Sequence, residues 1–125
     1  MKLRIRGDSI RLRLTVAEVE RIRSGDGVTE TTHFPGATMS YSVQVADIDH
    51  AEAQMKDSCL TVRLPRQQGI EWANSDTVSL FAEQDLGDAG MLSLLVEKDF
   101  KCLAPGEHRH EADDEGTFPH PNEQA

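Results

Sequence analysis

The sequence predicts an α+β domain at residues 1–103 and a disordered acidic tail at residues 104–125. Several short segments carry apolar residues at every second position, which is typical of half-buried β-strands. Two segments with helix start signals interrupt these strands. The tail has three prolines, three histidines, six acids and one aromatic residue. That composition is too polar to build a core, so we expect one folded domain.

The first two strands are predicted to form a hairpin. Leu3 and Ile5 alternate with basic residues, and after a short break the same pattern returns at residues 10–14. The break contains Gly7 and Asp8, which suit a tight turn with a positive φ at the glycine. The apolar side chains of both strands therefore share one face, and the basic side chains share the other.

Two short helices are predicted between the strands. Thr15 and Glu18 have the spacing of a capping box, so we expect the first helix to start there and to end at residues 24–27. We expect the second to follow Pro65 and to be weakened by Gly69. Residues 47–57 are polar and predict a loop. The remaining strands are predicted at residues 28–34, 39–45, 59–64, 78–83 and 91–100.

These elements predict a mostly antiparallel β-barrel or curved sheet of about seven strands with two short helices. The sequence also suggests an internal duplication. Residues 10–14 align with residues 60–64 at an offset of 50, and the same offset sets Asp26 against Asp76 and Val28 against Val78. The pseudo-repeats would cover residues 2–34 and 39–83, followed by a final strand at 91–100. Chance matching is the alternative, because the identities are few.

The composition excludes some classes of function. A net charge of -9 argues against general nucleic-acid binding, because non-specific affinity comes from neutralising phosphates with Lys and Arg. No apolar run is long enough to span a bilayer, so we expect no membrane partner. The N-terminus lacks the apolar stretch of a signal peptide, which favours a cytoplasmic protein. We expect Cys59 and Cys102 to be reduced, mostly buried thiols.

The basic face of the predicted hairpin is the most informative feature for function. Like charges crowded on neighbouring strands repel each other and need compensation. One hypothesis is an anionic ligand or an acidic protein partner; the alternative is neutralisation by neighbouring acids such as Glu30, Glu83 or Glu97. The candidate binding residues are the five cations of this face and two further arginines: Lys2, Arg4, Arg6, Arg11, Arg13, Arg63 and Arg66.

Catalytic and metal-binding signals are weak. No histidine can be paired with a nucleophile from the sequence, and no glycine-rich phosphate loop is present, so we expect no cofactor and favour a protein that is not an enzyme. His108 and His110 are weak candidates for a metal site, because nothing apolar around them would fix their geometry. A separate hypothesis is that the acidic tail covers the basic face and competes with any anionic partner for it. Flexible tethering would give the tail a high effective concentration there.

Two resemblances follow from short motifs. One motif consists of residues 7–15 followed, after a short helix, by Gly25, Asp26 and Val28. It resembles the swapped-hairpin fold of bacterial transition-state regulators and certain antitoxins. Part of the pattern returns at residues 62–65 and 76–78. The resemblance implies two interlocked halves in one small barrel, and it implies DNA or a protein held by the acidic tail as partner. Residues 96–103 and the chain as a whole resemble a family of short bacterial proteins of unknown function, which implies no activity.

Three functional interpretations therefore stay open. The preferred one is a non-enzymatic binding protein that uses the basic hairpin face. The second is a small metabolite-binding protein or enzyme for a phosphorylated compound, which would add Arg63 and Arg66 to the same cations. The third is an antitoxin-like or DNA-binding regulator, which the net charge disfavours.

Overall fold

A computed structural model describes residues 1–99 of the chain and shows an α+β fold. Predictions for Cys102, the acidic tail and its histidines lie outside the described residues. Eight strands and two α-helices follow one another along residues 1–99. In order, they are β1 (Lys2–Ile5), β2 (Ser9–Leu14), α1 (Val16–Arg23), β3 (Val28–Phe34), β4 (Ala37–Ala46), β5 (Glu52–Lys56), β6 (Cys59–Pro65), α2 (Arg66–Asn74), β7 (Ser79–Asp85) and β8 (Met91–Lys98).

The strands form two four-stranded sheets. The first has the order β1-β2-β8-β7 and the second has the order β3-β4-β6-β5. Each sheet joins two antiparallel pairs through a parallel central pair, β2 with β8 and β4 with β6. Within residues 1–99 no sheet closes into a barrel, so the predicted barrel does not describe this hydrogen-bonding pattern.

The prediction of about seven strands missed β5, which lies inside the segment predicted as a loop. This strand pairs antiparallel with β6 and forms an edge of the second sheet. Glu52, Gln54 and Lys56 alternate with Ala53 and Met55, so the strand carries little apolar surface. Polar side chains are common on edge strands, which is why the segment resembles a loop when no partner strand is known.

The register of the first hairpin returns 50 residues later. Lys2 lies opposite Arg13 in the β1–β2 pair, and Glu52 lies opposite Arg63 in the β5–β6 pair. The parallel pairs also correspond, because Ser9 aligns with Ser93 and Cys59 aligns with Ser40. The predicted hairpin is confirmed, with a φ of 53° at Gly7.

Helix α1 begins as predicted. The backbone N–H of Glu18 donates to Thr15 Oγ1 at 3.4 Å, and the backbone N–H of Thr15 donates to Glu18 Oε1 at 2.9 Å, which completes the capping box. Val19 and Ile22 are buried, whereas Val16 is 47% exposed and does not belong to the buried stripe. Only a narrow face of this helix, formed by Val19 and Ile22, is therefore buried in the core.

Helix α2 packs closely on the second sheet through Gly69. A Cβ atom added at this glycine would lie 2.7 Å from Cγ1 of Val45 on β4. Trp72 is buried, and its indole N–H donates to the carbonyl of Val78 at 3.2 Å. The glycine that weakened the predicted helix is therefore what allows this helix to approach the sheet. Neither helix is long and apolar enough to cross a membrane, within the part of the chain described.

Candidate functional site

Strand register places cations and apolar residues in one row across the outer face of the first sheet. Arg4 on β1 lies opposite Arg11 on β2, Arg11 aligns with Leu95 on β8, and Leu95 lies opposite Phe81 on β7. Residues paired in this way point to the same side of a sheet. Their neighbours Leu12 and Leu94 point to the opposite side and are buried. The row therefore faces outward.

Part of the basic charge is neutralised within the sheet. Arg13 Nε donates to Glu97 Oε1 at 2.6 Å, and Arg11 Nε lies 3.7 Å from the same oxygen. Lys2 Nζ lies 3.2 Å from Asp99 Oδ2. Glu97 is thus one of the neutralising acids that the sequence suggested. These contacts all lie toward the end of the hairpin that is remote from its turn.

The two remaining arginines lie near the turn and have no such partner. Arg4 and Arg6 are exposed, and no carboxylate lies within 4 Å of either guanidinium among residues 1–99. With Ser9 and Arg11 they line a cleft of about 360 Å³, here called the arginine cleft. A smaller cleft of about 170 Å³ lies beside it between β1 and β2. Three guanidinium groups and one hydroxyl therefore line the arginine cleft.

Backbone hydrogen bonds hold this turn in place. The N–H of Arg6 donates to the carbonyl of Ser9 at 3.0 Å, which closes the hairpin. The N–H of Ser93 on β8 donates to the carbonyl of Asp8 at 2.9 Å, which ties the turn to the next strand. The backbone that carries the arginine cleft is thus bonded on two sides.

Arg63 and Arg66 lie away from the first sheet. Arg63 is on β6, and its Nη1 donates to Glu52 Oε1 at 3.3 Å. Arg66 begins α2, and its Nε donates to Asp47 Oδ1 at 2.8 Å. Arg66 also lines a groove of about 930 Å³ between α2 and the segment after β4, where Asp49 and Glu71 are further lining residues. The structure does not gather these two arginines with the five cations of the hairpin.

The outer face of the second sheet offers a comparison for the arginine cleft. Its row at the same register consists of Gln54, Thr61, Ser42 and Thr29, taken in the order β5, β6, β4 and β3. These four side chains are polar and uncharged. The concentration of arginines next to an exposed aromatic ring is therefore specific to the first sheet, although the backbone registers match.

Phe81 and Leu95 are part of this face and were not among the predicted site residues. Phe81 is 58% exposed, and Leu95 is half-buried. Alternation along residues 78–83 could have shown that Phe81 faces away from Leu80. Local patterns could not place β8 beside β2, because that pair joins residues more than 80 positions apart, and β7 reaches this face only through its pairing with β8.

A second cluster of titratable groups surrounds the amino group of Met1. This group donates to Glu18 Oε2 at 2.8 Å and also to Glu30, while the Tyr41 hydroxyl donates to Glu30 Oε2 at 3.4 Å. Burial alone would lower the pKa of the ammonium group, but the hydrogen bonds and charges of both glutamates outweigh burial and raise that pKa. Burial would raise the pKa of Glu18, yet bonds from Met1 and Thr15 lower it.

Residues 1–99 contain one cysteine and no cluster of three or more potential metal ligands. Cys59 is a free, half-buried thiol whose Sγ lies 3.6 Å from Thr61 Oγ1. Residues 1–99 contain no group of three or more His, Cys, Asp or Glu side chains placed to hold a metal ion.

Comparison with known proteins assigns the chain to a family. A family model described as "Family of unknown function (DUF7009)" matches residues 1–122, so the chain belongs to that family. This confirms the resemblance to proteins of unknown function. No curated protein and no solved structure matches.

Proposed function

We propose that this member of a family of unknown function is a binding protein whose arginine cleft holds the phosphate group of a ligand. The observation that supports the proposal is that Arg4 and Arg6 share the cleft with Arg11 and have no carboxylate partner among residues 1–99. Guanidinium groups bind phosphate oxygens through paired hydrogen bonds, which suits a cluster of this kind.

Electrostatics support a bound anion. Arg4 lies directly opposite Arg11, an arrangement in which like charges repel. Glu97 binds Arg13 closely and Arg11 at a longer distance, and it leaves Arg4 without a carboxylate partner among residues 1–99. A phosphate in the cleft would supply the missing negative charge and could also accept a hydrogen bond from the Ser9 hydroxyl.

Binding of inorganic phosphate and pyrophosphate tests the proposal. We expect calorimetry at low ionic strength to detect binding to the full chain, and the double variant Arg4→Ala/Arg6→Ala to weaken it at least tenfold. The matched control is Lys56→Ala/Arg63→Ala, which removes two charges from the outer face of the second sheet. Equal weakening by both double variants would show a general charge effect and would overturn the proposal.

The metabolite alternative adds Arg63 and Arg66 to the hairpin cations, but neither lies beside them, so the groove beside Arg66 is a separate site. Its size suits a small molecule. However, Arg66 is bonded to Asp47, and Asp49 and Glu71 add further negative charge. Such a lining disfavours a phosphorylated compound, so we prefer the arginine cleft. The regulator alternative would appear as binding to duplex DNA that weakens steeply with salt.

We also infer that the chain arose by internal duplication. The support is the shared register: β1, β2, α1, β3 and β4 correspond in order and pairing to β5, β6, α2, β7 and β8. On this basis the repeats span residues 2–46 and 52–98 rather than 2–34 and 39–83. Val28 then corresponds to Leu80, because Val28 faces Val43 as Leu80 faces Val96. The sequence alignment set Val28 against Val78 without a gap. In the structural alignment the second repeat has two extra residues between α2 and β7.

A further inference from the structure

We propose that the ligand of the arginine cleft is a mononucleotide whose base stacks on Phe81. This inference rests on the proposed function, since it adds a second contact to the same phosphate site. It starts from the row that runs from Arg4 and Arg11 through Leu95 to Phe81. One end of the row is cationic and the other end is an exposed ring.

The spacing of the row suits a ligand with two chemically different ends. Neighbouring strands lie about 4.8 Å apart, so β2 and β7 are separated by about 10 Å across β8. Arg11 Nε lies 3.7 Å from Glu97 Oε1 on β8, so the side chain of Arg11 extends over part of this distance. A phosphate held at the arginines would therefore leave the ring of the same nucleotide near Leu95 and Phe81.

The exposed ring of Phe81 offers a second contact to such a ligand. Phe81 is 58% exposed on a face where the corresponding residue of the second sheet is Thr29. The side chain of phenylalanine makes no hydrogen bonds with water. Its ring can stack on a base of any identity. Leu95 extends the apolar surface toward the arginines. The four positions together combine phosphate recognition with a stacking platform.

Charge favours a single nucleotide over a nucleic-acid strand. Glu83 lies two residues beyond Phe81 on the same face of β7, and it would repel a second phosphate at that end. The chain as a whole has a net charge of -9, which opposes contact with a long polyanion. Phe81 is also the one aromatic residue on this outer face among residues 1–99.

The test compares adenosine 5′-monophosphate, uridine 5′-monophosphate and ribose 5-phosphate as ligands of the full chain. Stacking on one aromatic side chain should make both nucleotides bind about 5- to 150-fold more tightly than the sugar phosphate. Phe81→Ala should remove this preference and leave the affinity for ribose 5-phosphate unchanged. Phe81→Trp should retain the preference, and Thr29→Ala in the second sheet should change nothing.

The outcomes separate this inference from the proposed function. If phosphate and ribose 5-phosphate bind but the nucleotides bind no better, the stacking inference is wrong and the arginine cleft stands. If none of the three ligands binds, both are wrong. A thymidine decamer that binds far more tightly than thymidine 5′-monophosphate would overturn the assignment to a single nucleotide, because it would show contacts to several nucleotides. Circular dichroism of Phe81→Ala verifies that the variant folds.

Discussion

Gly69 on α2 lies directly against Val45 on β4, with room for a hydrogen atom but not for a methyl group. A Cβ atom at residue 69 would lie 2.7 Å from Val45 Cγ1 and 3.4 Å from Leu64 Cβ. The helix can reach the second sheet because the residue at this contact has no side chain. The same glycine is unfavourable for an isolated helix, so tertiary packing decides its value here.

Gly69→Ala is expected to destabilise the protein despite the higher helix propensity of alanine. Overpacking of a tight core contact costs about 1–3 kcal/mol, which exceeds the roughly 1 kcal/mol that alanine contributes in a helix. Urea denaturation of the variant and of Gln68→Ala, an exposed position on the same helix, measures the difference. If Gly69→Ala raised the free energy of unfolding as much as Gln68→Ala does, the tight contact between Gly69 and Val45 would be contradicted.

Glu97→Gln is expected to strengthen phosphate binding. The carboxylate of Glu97 lies 2.6 Å from Arg13 and 3.7 Å from Arg11, so its removal increases the positive potential over the arginine cleft. Exposed ion pairs of this kind contribute up to about 1 kcal/mol, which predicts about a two- to fivefold tighter complex at low salt.

The matched control for that experiment is Glu52→Gln, because Glu52 binds Arg63 on the second sheet. We expect calorimetry to show no change in phosphate affinity for the control. An unchanged affinity in Glu97→Gln would mean that Glu97 does not compete with the ligand for the arginines.

The unfolding free energy should depend on the charge of the Met1 amino group. Its pKa is raised in the folded protein above the ordinary value of 8.0, so the stabilisation is fully present below about pH 8 and is lost as the pH rises through the folded pKa. The pKa of Glu18 is lowered from 4.5, so its contribution is present above that pH and is lost as the pH falls through the folded pKa. Stability should therefore be highest between these limits.

Acetylation of the Met1 amino group isolates this effect from other groups that titrate at high pH. The modified protein loses the ammonium partner of Glu18 and should be less stable at pH 7 by about 1–3 kcal/mol. The difference between the two proteins should shrink as the pH rises from 8 to 10. Parallel curves for the two proteins over that range would argue against the ion pair.

Removal of residues 104–125 is expected to strengthen anion binding at low salt. That segment has six acids and one arginine, and its attachment to the domain gives it a high effective concentration near any basic surface. Calorimetry with pyrophosphate at low and high salt compares the truncated and full chains. Because salt screens exposed charges beyond about 10 Å, the gain should disappear at high salt. Equal affinities at low salt would exclude masking by the tail.

The sequence alone was sufficient for the local features of the site. Alternation placed the basic residues on one face of β1 and β2, and the glycine fixed their turn. Thr15 and Glu18 indicated where α1 begins, because a capping box involves residues only three positions apart. Each of these features depends on interactions within a few residues or across one hairpin, and local sequence encodes such interactions directly.

Only the tertiary structure determined which strands lie together. Strand β5 has too little apolar surface to be recognised as a strand until its partner β6 is known. The parallel pairing of β2 with β8 joins residues from the two ends of the domain. That pairing brings Leu95 and Phe81 next to the arginines and sets Glu97 against Arg13. Contacts so distant in sequence depend on how all the elements pack around one core, and no local pattern specifies that arrangement.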